Sequence, residues 1–100
     1  MTLEEIQDIL NRQLLQLENR CLNVTEILVL QGILHNQTYQ EIADQEGYSS
    51  SYFANVVAPE LYRRLSAITG RRVTKKTVES YYNHILQHKS HLSITYQQNH

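Results

Sequence analysis

Ten side chains in this 100-residue chain have the types that hold a polyanion: the cations Arg63, Arg64, Arg71, Arg72, Lys75 and Lys76, and the short hydrogen-bonding groups Ser50, Ser51, Tyr52 and Asn55. Cations of this kind neutralise phosphates and release condensed counterions, which gives affinity without sequence preference. Preference comes from groups that reach base edges, and an asparagine can pair bidentately with adenine. The six cations are therefore candidates for the phosphates of double-stranded DNA, and the other four for its bases. Each has a plainer alternative. Serines cap helices, an asparagine can sit on a solvated face, and the chain's own acids can neutralise its basic residues.

The stretch that must position them is Gln37–Tyr62, QTYQEIADQEGYSSSYFANVVAPELY. Thr38 with Glu41 forms a capping box that opens a short helix from Tyr39 to Glu46. Gly47 follows where the chain must turn, because glycine takes positive φ cheaply. Ser49, Ser50 and Ser51 can cap a second helix, expected to run from Ser50 to about Val57. It should stop there, since Pro59 lacks an N–H and its ring would clash with the Asn55 carbonyl. Pro59 instead suits the first turn of a new helix, Pro59–Thr69, closed by Gly70. Ile42, Ala43, Phe53 and Val56 fall where the unit needs core contacts. The pattern is a helix-turn-helix whose second helix turns Ser50, Ser51, Tyr52 and Asn55 outward, toward a major groove.

Scaffold helices surround this unit. Thr2 and Glu5 form a capping pattern, and Leu3, Ile6, Leu10, Leu14 and Leu17 recur at helical spacing over about 3–19. Asn23 with Glu26 repeats the pattern before Ile27, Leu28, Leu30, Ile33 and Leu34, in a core helix ending near His35–Asn36. In Pro59–Thr69, Leu61, Leu65 and Ile68 form the inner stripe with Tyr62 alongside, while Arg63 and Arg64 are expected to face water. Thr74 can cap a last helix from about 75 to 87, with Val78, Tyr81, Tyr82, Ile85 and Leu86 inward. Tyr48 is also expected in the core. The fold class is all-α, a five- to six-helix compact domain over 1–89 with a tail, 90–100, that is frayed or briefly extended.

The first fifty residues hold two basic and eight acidic side chains, the second fifty seven basic and two acidic. Such a division suits an anionic partner on one face, or acidic and basic halves that compensate each other inside the monomer. Lys75 and Lys76 stand in a first helical turn, where the helix dipole disfavours cations by roughly 0.3–1 kcal/mol each. That suits an anion anchor, with the melting point expected to hold or rise when both become glutamate. The single cysteine, Cys21, excludes an internal disulfide and reads as a small half-buried hydrophobe. No apolar run is long enough for a membrane span, so a cytoplasmic location is expected. His84 and His88 share a helix face with His91 beyond, a zinc-like spacing without cysteine support. Surface histidines are the simpler reading, and no metal, cofactor or catalytic residue is assigned. Glycine-rich phosphate loops, nucleophile elbows and paired cysteines are missing from the sequence, so an enzyme is not expected.

The run TYQEIADQEGYSSSYFANVVAPELYRRLSAITGRRVTK resembles the N-terminal helix-turn-helix domain of cyanobacterial multidomain signalling proteins, of the vWA-MoxR-associated kind, that precedes an NB-ARC-type nucleotide switch. Its most specific pieces are Thr38-Tyr39, Glu41-Ile42-Ala43, Gly47-Tyr48-Ser49, Pro59, Leu61 and Val73-Thr74-Lys75. The resemblance implies a regulatory module. Arg71 and Val56 stand where the family pattern often has acids, which favours nucleic acid. Glu46 stands before the turn glycine where many DNA-binding units have leucine, which opposes it. Two functions are expected. The first is transcriptional regulation through duplex DNA, with a homodimer to supply enough base contacts. The second is a protein interaction adaptor, whose acidic and basic faces recruit a signalling partner or another copy head to tail.

Overall fold

The computed structural model describes residues 3–78, 80 and 81. Helix α1 spans Leu3–Glu18 and buries Ile6, Leu10 and Leu14. Leu17, expected to continue the stripe, is exposed instead. The helix ends one residue later, where Asn19 takes φ 58° and turns the chain away. Leu22 enters the core in its place, its N–H bonded to Asn11 Oδ1 at 2.8 Å. Cys21, next to it, is exposed, which corrects the half-buried expectation.

Helix α2, Val24–Leu34, starts at the Asn23–Glu26 capping box and buries Val29, Leu30 and Ile33. Helix α3, Tyr39–Glu46, starts at the Thr38–Glu41 box and buries Ile42 and Ala43. The two helices cross closely at Gly32, where an added Cβ would lie 2.2 Å from Ile42 Cδ1. Both capping boxes are as the sequence indicates. Thr2, half of the first expected box, lies outside the described residues.

The turn is made by Gly47 at φ 76°, ψ 24°. The Gly47 and Tyr48 amides both close on the Ala43 carbonyl, satisfying the end of α3. Nothing lies within 4 Å of a Cβ built on Gly47. Gly47→Ala should therefore cost only the backbone strain of a left-handed alanine, about 1–2 kcal/mol. Chemical denaturation would report it as a lower midpoint with an unchanged slope.

Beyond the turn the structure departs from the expected break at Val57. Helix α4, Ser50–Tyr52, runs without interruption through a π-helical turn, Phe53–Val57, into α5, Ala58–Thr69. Tyr52, Phe53, Val57 and Ala58 all keep right-handed helical angles. The Ala58 amide reaches back to the Phe53 carbonyl, one residue beyond α-helical reach. Widening the turn accommodates a proline that cannot donate and whose ring would strike the Asn55 carbonyl in a regular helix. The extra residue also changes the phase. Phe53, Val57, Ala58, Leu61 and Leu65 are buried, while Val56, expected as a core anchor, is exposed.

Gly70 ends α5 at φ 70°. Ser66 then ties down the following loop, its hydroxyl donating to the Tyr62 carbonyl at 2.7 Å and accepting the Val73 amide at 2.8 Å. The last helix is visible at 75–78, 80 and 81, with Val78 buried and Tyr81 packed on the core. Thr77 Oγ1 accepts the Thr74 amide at 2.8 Å, so the cap works through Thr77 and not the Thr74 hydroxyl. Tyr82, Ile85, Leu86, the three histidines of the zinc-like spacing and the 90–100 tail lie outside the described residues. Helices α1, α2, α3 and α5 and the π turn enclose one apolar core. The all-α expectation holds. Among the described residues, no helix is long and apolar enough to cross a membrane.

Candidate interface on the outward helix

Arg64 is the first correction to the expected cation set. It was expected in water, and it is 0% exposed. Its Nε donates to Glu18 Oε1 at 3.0 Å, one terminal nitrogen to Glu26 Oε1 at 2.5 Å, and the other to the carbonyls of Arg20 and Cys21. Glu26 Oε1 also accepts the Asn23 amide at 3.0 Å, so the α2 cap and the buried ion pair share one oxygen. Every guanidinium nitrogen of Arg64 is thus occupied inside the domain, leaving none to meet a phosphate.

Arg63 is exposed but bonded as well. It grips Glu18 with two nitrogens, at 2.7 and 3.2 Å, and its Nε donates to Glu60. The Glu18 carboxyl is held below its ordinary range by hydrogen bonds from Arg63 first and Arg64 second. These contacts join the C-terminal end of α1 to the middle of α5. For this pair of arginines the compensating reading of the charge division is the one the structure supports.

Arg71, Arg72, Lys75 and Lys76 remain exposed. Lys75 Nζ sits 4.4 Å from the centre of the Tyr39 ring, at the start of α3, and lowers the Glu41 carboxyl after the capping bonds from Thr38. A cation over an aromatic face is worth about 0.5–1 kcal/mol at an exposed site. Lys75 therefore helps hold the last helix on α3, which argues against the expectation that the melting point holds or rises when Lys75 and Lys76 both become glutamate. Lys75 and Lys76 also line an open groove with Ile33, Asn36, Gln37 and Thr38. The six expected cations are consequently divided. Two are tied into α1 and α2, and two, with Arg71 and Arg72 just upstream, edge the N-terminal end of α3.

The expected base-reading residues lie at the opposite end of α3. Ser51, Tyr52 and Asn55 are exposed and Ser50 is half-buried, so the second helix does face outward. Ser49 is the residue that caps it, accepting the Tyr52 amide at 3.2 Å. Sequence reading missed Tyr48, which is 42% exposed and stacks on Tyr52, 37% exposed, with ring centres 5.7 Å apart. Both rings lean on buried Phe53, at 5.2 and 5.8 Å. Phe53 fills the core position and leaves Tyr48 on the rim. With exposed Val56, four residues further along the sequence, the tyrosine pair forms the strip of exposed large apolar side chains between Gly47 and Pro59.

The charge around that strip is informative. From Gly47 to Pro59 the chain carries no charged residue. Asp44 and Glu46 precede the turn and Glu60 follows, all exposed. Among the described residues, no cation lies within ion-pair distance of Asp44 or Glu46.

The model of the vWA-MoxR associated protein N-terminal HTH family matches residues 1–85. The chain belongs to that family. No curated protein and no solved structure matches it. In this vWA-MoxR associated N-terminal helix-turn-helix domain, the motif itself occupies α3, the Gly47 turn and α4, inside a scaffold that the family model also spans.

Proposed function

We propose that this helix-turn-helix domain is a non-catalytic protein interaction module of a signalling protein, docking a partner on the strip Tyr48–Tyr52–Val56. The observation that carries this reading is an outward stretch with an apolar centre, no charge from Gly47 to Pro59, and the acids Asp44 and Glu46 on its α3 side. Exposed aromatic residues encircled by polar ones are the usual composition of protein interfaces. DNA requires the reverse, because phosphates on both walls of the major groove would face the acids of α3. The partner surface should be apolar at its centre and basic at its edge. The cyanobacterial and NB-ARC setting implied by the resemblance fits a recruiting domain of this kind.

A second reading, duplex binding in transcriptional regulation, is favoured by one observation: Lys75 and Lys76 line a groove at the N-terminal end of a helix-turn-helix, with exposed Arg71 and Arg72 just upstream in the sequence. Fluorescence anisotropy separates the two. A labelled basic amphipathic helical peptide should bind, and Tyr48→Ser with Tyr52→Ser should weaken it at least fivefold, the effect of losing more than about 1 kcal/mol at an aromatic anchor. A labelled duplex should bind weakly or not at all at physiological salt. Steeply salt-dependent duplex binding, indifferent to the tyrosines, would reverse the assignment.

A further inference from the structure

The acidic, apolar knob at one end of α3 and the basic groove at the other are complementary in charge. Residues 39–60 contain Glu41, Asp44, Glu46 and Glu60 and no cation, while residues 71–78 contain Arg71, Arg72, Lys75 and Lys76 and no acid. Glu41 faces Lys75 inside the domain, so the knob proper presents Asp44 and Glu46 beside Tyr48 and Tyr52. Among the described residues, Asp44 is engaged by the neutral Gln40 amide, at 2.7 Å, and by no cation. The groove has Ile33 at its base and Lys75 and Lys76 at its edge, and its volume of about 400 Å³ admits an aromatic side chain. Among the described residues, no carboxylate lies within ion-pair distance of Arg71, Arg72, Lys75 or Lys76.

We infer that the partner that fits the outward helix is a second copy of this chain. The Tyr48–Tyr52 knob of one copy enters the Ile33–Lys76 groove of the next, with Asp44 and Glu46 set against the exposed cations of the groove side. This rests on the outward helix being a docking face, as proposed above. Knob and groove stand at the two ends of an eight-residue helix, about 12 Å apart at 1.5 Å per residue. One copy therefore cannot satisfy both surfaces by itself, and the contact is heterologous, so copies add head to tail in a ring or an open row. The attraction is between exposed charges and falls with salt.

Sedimentation velocity of the full chain over a concentration series tests this. The wild type should grow in mean mass with concentration at low salt and return toward monomer at high salt. Asp44→Lys with Glu46→Lys should remain monomeric, as should Arg72→Glu with Lys76→Glu, a pair that spares the Lys75–Tyr39 contact. An equal mixture of the two reversed proteins should associate again, because each then offers a knob that suits the other's groove. Amide spectra of both reversed proteins should match the wild-type fold. A wild type that stays monomeric throughout overturns the inference, as does a mixture that fails to re-associate while both components are folded. If that monomer still binds the basic peptide through Tyr48 and Tyr52, self-assembly fails while the docking face stands. If both are lost, the docking reading fails with it.

Discussion

Arg64→Met should cost about 3–5 kcal/mol, the loss expected when one partner of a buried ion pair is removed and the other stays behind. Methionine fills much of the same space, so packing changes little and the effect isolates the charge. Glu26, 1% exposed, would retain the Asn23 amide and the more distant Arg20 as the described partners of its Oε1. The carbonyls of Arg20 and Cys21 would lose their donors at the same time. Against a total stability of about 5–15 kcal/mol for a domain of this kind, the loss removes a large share and should lower the melting temperature well below the wild type's. Circular dichroism melts would measure it, and pairing Arg64→Met with Glu26→Leu should recover most of the loss. Acid acts on the same corner. The Glu18 carboxyl is lowered in the folded state, so its contribution is present above the unfolded value, about 4.3, and disappears as the pH falls through the lower folded one.

Gly32→Val should have the next largest effect, about 2–3 kcal/mol. The added Cβ alone would sit 2.2 Å from Ile42 Cδ1 and 2.4 Å from Ile42 Cγ1. Ile42 is itself buried and has little room to swing aside. Overpacking of this kind costs about 1–3 kcal/mol, and a β-branched side chain recovers less of the helix propensity that glycine gives up than alanine would. Relief would come from moving α3 off α2, which would also move the Gly47 turn and the tyrosine pair. A lower melting temperature should therefore be accompanied by weaker peptide binding, even though residue 32 is distant from the strip in sequence. Gly32→Ala, with one methyl group, should show a smaller version of both changes.

The helix starts were the most legible part of the sequence because capping boxes are local: Asn23 with Glu26 and Thr38 with Glu41 each work within four residues. The glycine turn was legible for the same reason. The helical phase after Tyr52 was not, since a proline can end a helix or widen it into a π turn, and the packing of Phe53 and Val57 decides which. The buried ion pair left a signal that polarity concealed. Glu26 shares a helical face with Val29, Leu30 and Ile33, and Arg64 one with Leu61 and Ile68. A carboxylate and a guanidinium, each on an inward stripe, are expected to meet. Assigning both arginines of the Arg63-Arg64 pair to water by residue type overlooked that periodicity. Tyr48 was misplaced for the converse reason: its aromatic ring suggested the core, which Phe53 already fills.

Amide chemical-shift mapping on the isotopically labelled domain, titrated with a short mixed-sequence duplex at low salt, tests the central claim most directly. No shifts are expected at Tyr48, Ser51, Tyr52, Asn55 or Val56, with any weak response confined to Arg71, Arg72, Lys75 and Lys76. Saturating shifts at Ser51, Tyr52 and Asn55 that fade as salt is added would place the outward helix in a groove of DNA and contradict it.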